Sequence, residues 1–169
     1  VEFSGDTGRL VGDANSTVAR VESTAMVAPD RDHFLVPFAS MGLEANYAAS
    51  DCDFPMLNGI NSAIVLDNHY LEVVAPTGEG PVGGFLGRIG RPGIFGLNLE
   101  PHDMGDFIAT AKANDIAVNT EEPILLEVEV RGVKYDCAHI VTINPRATGG
   151  ARIFMLSPLE YPWDLVAAG

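Results

Sequence analysis

Two apolar runs close in the same way: Leu71-Glu72-Val73-Val74-Ala75-Pro76 and Ile153-Phe154-Met155-Leu156-Ser157-Pro158. Each ends on a small residue and a proline. An internal repeat constrains architecture, because each copy must be one supersecondary unit. The match extends upstream. Val18 to Val27 is a β-rich run closed by Ala28-Pro29-Asp30, and Ile94 to Leu99 is another, closed by Glu100-Pro101-His102-Asp103. Each aspartate can cap a helix by accepting from free N–H groups of the first turn. After Asp103, the residues Met104, Phe107, Ile108 and Ala111 recur at helical spacing; after Asp30, Phe34, Leu35, Phe38 and Met41 do so less regularly. Pro37 interrupts the first helix, at about 3 kcal/mol or a kink.

The chain thus reads as α+β, with two strand–helix–strands modules at 18–76 and 93–160. Residues 1–17 form a polar arm with an edge strand near Arg9-Leu10-Val11, and 161–169 form a tail. The Gly/Pro-rich segment 77–92 is a linker that can fold over a pocket. Strands are expected near 18–27, 43–49, 60–66 and 68–75 in the first module, the last two joined through Asp67-Asn68. The second module offers 94–99, 116–119, 124–130, 133–143 and 151–157, with a turn at Arg131-Gly132. Alternation places Glu127 and Glu129 on a solvent face.

Net charge is −13, with 10 Lys+Arg against 23 Asp+Glu. That balance excludes the basic face a nucleic-acid binder needs. No apolar run reaches the ~20 residues of a membrane span. Cys52 and Cys137 make neither a zinc motif nor a disulfide framework, and point to a cytoplasmic home. No phosphate loop or nucleophile–histidine–acid spacing is present.

On these residues the chain resembles the vicinal oxygen chelate superfamily, which includes glyoxalase I, methylmalonyl-CoA epimerase, extradiol dioxygenases and bleomycin-resistance proteins. Four segments carry the resemblance: Arg20 to Asp30, Tyr70 to Pro76, Gly93 to Asp103, and the Asn144-Pro145-Arg146-Ala147-Thr148-Gly149-Gly150 turn. The last is similar to the H-P-x-x-x-G-G turn of the glyoxalase-like branch, with Asn144 in place of histidine. The resemblance implies two βαβββ modules forming a curved, incomplete barrel (the glyoxalase/bleomycin-resistance fold). It also implies a divalent-ion site on the first and fourth strands of each module. Those positions fall on Ser23, Glu72, Gly96 (or Phe95, one residue away) and Phe154. Only Glu72 among them ligates a metal well, so the expectation is no metal and no cofactor.

Side chains two apart on a strand share a face. Glu72 inward therefore carries Tyr70 and Val74 inward, and Ser23 carries Val21 and Ala25. Asn98 joins Gly96, and Arg152 and Leu156 join Phe154. Glu72 is the candidate general base for proton abstraction next to a carbonyl, with Arg152 or Asn98 steadying an oxyanion. Alternatively, Glu72 is ion-paired with Arg152, or only hydrogen-bonded to Ser23 and Tyr70. Arg152 has its own two readings: inward, it suits a carboxylate or phenolate ligand, and with the strand offset by one residue it faces solvent instead. Tyr70 suits a pocket wall, Asn144 a cap for its turn, and His139 is the one histidine kept as a pocket candidate. The expected partner is a small organic molecule, handled by an isomerase or lyase. The rival readings are a sequestering protein of the resistance type and a module serving assembly. A homodimer is compatible with either.

Overall fold

The computed structural model describes residues 16–46, 50–67, 69–120 and 122–160. The first module holds β1 (Val18–Val27), α1 (Asp32–Ser40), β2 (Cys52–Phe54), β3 (Gly59–Val65) and β4 (Tyr70–Pro76). A single 3-10 turn, Pro55–Leu57, links β2 to β3. After α2 (Pro81–Ile89) the second module repeats the order, with β5 (Gly93–Pro101), α3 (Met104–Ala113), β6 (Ile124–Val130), β7 (Val133–Ile143) and β8 (Ile153–Pro158). Asp103 caps α3, its carboxylate accepting from the Asp106 N–H at 2.8 Å. Asp30 acts one residue earlier than a true cap and accepts from the Asp32 N–H at 3.0 Å. Among the described residues no helix is long and apolar enough to cross a membrane.

The sheet order is β1-β4-β3-β2-β6-β7-β8-β5, and it closes on itself. In each module the first and fourth strands run parallel, β1 beside β4 and β5 beside β8. The modules meet along two antiparallel seams. The long one joins β1 to β5, with Arg20 bonded to Glu100 at 2.6 Å on its outer side. The short one joins β2 to β6 through Cys52↔Val130 and Asp53↔Glu129. The barrel expected to be incomplete is therefore closed by this second seam, which removes an exposed strand edge.

Register fixes the repeat. Ala25 lies opposite Glu72 in the first module, and Asn98 opposite Phe154 in the second. Ala25 is thus the counterpart of Asn98, and Ser23 that of Gly96 rather than Phe95. Register then shifts three times along the long seam, once near its end between Val18↔Pro101 and Arg20↔Glu100, and twice beside the cavity. A bulge lies between Val21↔Leu99 and Ser23↔Asn98, and another between Ala25↔Gly96 and Met26↔Ile94. A bulge adds one residue and re-aims its side chain. The first turns Glu22 into the barrel and leaves Val21 46% exposed, correcting the expectation that Val21 faces inward. The second adds Phe95 to the interior beside Gly96.

Other expectations shift. The strand expected at 43–49 is absent over 43–46, and 47–49 lie outside the described residues; β2 forms instead at Cys52–Phe54. Residues 116–119 supply only the isolated bridge Val118↔Ile143. Asn68, most of the N-terminal arm with its expected edge strand, and the tail lie outside the described residues. The segment expected as a linker contains α2. Pro81 opens it, where a missing N–H costs nothing. Gly90 closes it at φ 67°, the left-handed conformation glycine takes freely. Val82 is fully buried against Ala25, Val27, Val74 and Phe95, so α2 packs onto the barrel.

Candidate functional site

The barrel encloses a cavity of about 150 Å³. Its walls come from both modules: Ala25, Phe54, Leu57 and Val74 from the first, and Phe95, Leu126, Ile140, Phe154 and Leu156 from the second. Polar groups enter from three adjacent strands, Glu22 from β1, Glu72 from β4 and Asn98 from β5, with Cys137, Thr120 and Thr142 elsewhere on the lining. An apolar cavity with a few convergent polar groups is the usual form of a small-molecule site.

Glu72 is held by two donors. The Ser23 hydroxyl donates to its Oε1 at 2.7 Å, and the Asn98 Nδ2 donates to the same oxygen at 3.2 Å. Asn98 Nδ2 also donates to Ser23 Oγ at 2.6 Å. Both bonds to Glu72 land on Oε1, so Oε2 is the oxygen left to the cavity. Burial raises the Glu72 carboxyl from its ordinary 4.5 to about 7, and the Glu22 carboxylate adds a like charge in the same direction. The Ser23 and Asn98 donors oppose that rise without cancelling it. The carboxyl is therefore poised to take up or give up a proton near neutral pH.

The expected site residues divide into three groups. Ser23, Glu72 and Asn98 come together as one hydrogen-bonded cluster. Gly96 and Phe154 form a neighbouring aromatic wall with Phe95, whose ring lies 6.1 Å from that of Phe154. Arg152, Tyr70 and Asn144 lie elsewhere. The Arg152 guanidinium stacks over Phe95 at 4.8 Å and over Phe85 of α2 at 5.3 Å. Burial lowers its pKa, with Arg88 adding to the effect. It neither lines the cavity nor pairs with Glu72. Tyr70 is half-buried against the cluster around Cys52 and Phe54. Asn144 orders its turn, its Oδ1 accepting from the Arg146 N–H at 3.0 Å. His139 is exposed, and His69 sits outside against Thr24 Oγ1 at 3.1 Å. Cys52 and Cys137 are buried, and burial pushes their thiols up to about 11 and about 12, so both stay neutral.

The residue that sequence reasoning missed is Glu22, 1% exposed and lining the cavity. A carboxylate inside a β-rich run was the available signal, but alternation counted from Ser23 assigned it outward.

The four positions where the family's metal ligands stand do not fit a divalent ion. They offer one carboxylate, one hydroxyl, a glycine and a phenyl ring, whereas such an ion needs several oxygen or nitrogen donors. The space is also taken. A Cβ on Gly96 would lie 2.6 Å from Phe154 Cε2 and 3.1 Å from the Arg152 carbonyl oxygen. Gly96 is what lets the Phe154 ring lie flat against β5. Gly96→Ala is expected to destabilise the fold by about 1–3 kcal/mol through overpacking, and Gly96→Ala combined with Phe154→Leu to recover part of that loss, as read by chemical denaturation.

No family model matches the chain, and no curated protein matches it in sequence. Solved structures do match. Methylmalonyl-CoA epimerase from Mycobacterium tuberculosis superimposes with a TM-score of 0.72 at 16% identity, over 94% of this chain and 97% of that one. A hypothetical protein from Bacillus halodurans C-125 gives 0.68 at 17% identity, over 84% and 96%. A methylmalonyl-CoA epimerase in complex with methylmalonyl-CoA and NH4+ gives 0.67 at 15% identity, over 83% and 95%. Identities this low speak to architecture alone. The chain has the vicinal oxygen chelate fold, two βαβββ modules around a shared interior, like that of methylmalonyl-CoA epimerase.

Proposed function

We propose that the protein is a metal-independent isomerase or lyase in which Glu72 removes a proton next to a carbonyl of a small organic substrate. The observation that carries this reading is a carboxyl balanced near neutrality, with one oxygen tied down and the other open to an apolar cavity. A general base works best when its pKa lies near the operating pH. A purely structural carboxylate would be expected to have both oxygens satisfied by hydrogen bonds or a cation.

The lining also limits the substrate. Among the described residues, no Lys, Arg or His lines the cavity, while two glutamates do. A ligand carboxylate about 5 Å from an ionised Glu72 would be repelled by about 3 kcal/mol at an effective dielectric of about 20. The reacting end of the substrate is therefore uncharged. This separates the proposed substrate from the methylmalonyl group of the epimerase complex, which carries a carboxylate beside the reacting carbon.

A β,γ-unsaturated cyclohexenone tests the reading. It is uncharged and small, and a 1,3-proton shift converts it to the conjugated ketone, which absorbs in the ultraviolet. The expected rate rises with pH through a midpoint near 7, as Glu72 ionises. A ketone bound but recovered unchanged would favour the sequestering reading instead. Ser23→Ala removes a donor that favours the charged form of Glu72. The variant's midpoint is therefore expected to move to higher pH, with the rate at pH 7 falling about two- to tenfold and the plateau at high pH largely retained.

A further inference from the structure

In a chain with 10 Lys+Arg against 23 Asp+Glu, a cation has acids to spare. Arg88 and Arg152 nonetheless carry no ion pair among the described residues. Both lie on one phenyl ring instead. The Arg88 guanidinium is 5.5 Å from the centroid of Phe85, and that of Arg152 is 5.3 Å from the same centroid. Arg152 is half-buried and Arg88 is exposed. The pKa of Arg152 is lowered by burial first and by Arg88 second, which marks a guanidinium short of a counter-charge. Ring contact offsets part of that cost but gives the N–H donors no oxygen to bond.

Their place in the barrel gives the pair a use. Strand directions bring the end of β2 and the starts of β5, β6 and β8 to one end of the barrel, where α2 links β4 to β5. Arg152 directly precedes β8, and Arg88 stands in the last turn of α2. The cavity opens at this same end. Its lining residues Met56, just after β2, and Ile124, the first of β6, are 42% and 43% exposed. Phe95, which carries Arg152 on its ring, is itself a cavity wall. Glu72 lies deeper. Its donor Asn98 is level with Phe154, two residues or about 7 Å along the chain from Arg152.

We propose that Arg88 and Arg152 form an anion subsite at the cavity mouth, which holds a carboxylate or phosphate at the outer end of the substrate while its uncharged carbonyl end reaches Glu72. This deepens the reading of Glu72 as base and rests on it for the direction in which the ligand lies. Guanidinium stays charged at neutral pH and meets the oxygens of either anion with paired N–H donors. An anion at the mouth stands outside the cavity lining, where distance and solvent weaken the repulsion that bars a carboxylate beside Glu72. The net charge of −13 repels anions in general, so affinity for one must come from a local site.

The test separates binding from turnover. The probes are cyclohexanones carrying a flexible chain of about four to six methylenes, enough to cover the about 7 Å offset and the reach to the arginines. The chain ends in a carboxylate, a phosphate monoester or, as the uncharged control, a methyl ester. In calorimetry the whole chain is expected to bind at least one of the two anions at least tenfold more tightly than the ester. That ratio should shrink as salt is raised from about 20 to about 500 mM. Arg152→Met keeps an unbranched stem on the rings, and Arg88→Gln alters an exposed position; each should cut the ratio to threefold or less. The anion bound more tightly names the end group that the subsite takes. Equal affinity for anion and ester in the wild type, or a ratio that survives either substitution, would overturn the subsite. Should Arg152→Met fail to fold, Arg88→Gln decides alone. Turnover of the matching β,γ-unsaturated ketones reports on Glu72 instead. Full turnover in Glu72→Gln would remove the base, and with it the assigned direction of the ligand, whatever the calorimetric ratio shows. Lost turnover in that variant with the ratio intact supports two sites acting at opposite ends of one ligand.

Discussion

Glu72→Gln is expected to lower turnover of the β,γ-unsaturated ketone by about 10²–10⁴-fold, the usual contribution of a positioned general base. The substitution is close to isosteric, and it preserves the contacts that place the side chain. Glutamine Oε1 still accepts from Ser23 Oγ and Asn98 Nδ2, as the carboxylate does. The loss therefore isolates proton transfer from positioning. Two further readouts keep the result unambiguous. Exchange of the ketone's α-hydrogen with deuterium oxide should fall in parallel, because it needs the same base. Ketone binding, followed by ligand-detected magnetic resonance, should be little changed, because the cavity walls are untouched. A variant that exchanges and isomerises at the wild-type rate would place the base elsewhere.

How far the sequence foretells this site depends on which physical signal each residue gives. The repeat was legible because both modules must solve the same packing problem. Each needs a parallel β1–β4 type pair, so Ala-Pro and Ser-Pro recur at equivalent strand ends. Glu72 was legible for the related reason that an acid inside a repeated apolar run breaks the pattern. Ser23 and Asn98 followed from period-two alternation on β1 and β5. Alternation is also what hid Glu22. A bulge costs one unpaired residue and leaves no reliable mark in composition, yet it reverses parity on one side of itself. The helix α2 was hidden for a different reason. Gly83, Gly84 and Gly87 lower its intrinsic propensity, by up to about 1 kcal/mol each relative to alanine, so it reads as a loop. Packing of Val82, Phe85 and Leu86 onto the barrel outweighs that penalty. Arg152 was misplaced because its strand begins two residues later than expected, at Ile153, which leaves Arg152 outside the strand, and the Phe85 ring that receives the guanidinium sits on the unforeseen helix.

The same glutamate should cost stability, and the cost should depend on pH in a definite direction. The folded carboxyl titrates near 7 against an ordinary 4.5, so between those values the native state holds a proton that the unfolded chain has released. Stability must then fall as pH rises from about 4.5 to about 7, and level off above. The gap corresponds to about 3 kcal/mol, trimmed to about 2–3 kcal/mol because one oxygen faces the cavity. Glu72→Gln removes that slope. The variant is expected to match the wild type near pH 4 and to exceed it by about 2–3 kcal/mol at pH 8, or ~5–10 °C in Tm for a chain of this size. Thermal unfolding at the two pH values checks this. Other carboxyls titrate in the same range, so the difference between variant and wild type carries the information, not either curve alone. A glutamine variant less stable at pH 8 would mean that the ionised carboxylate is well accommodated in the fold. An acid so accommodated would have no reason to titrate near neutrality, and the case for it as a base would fall with that result.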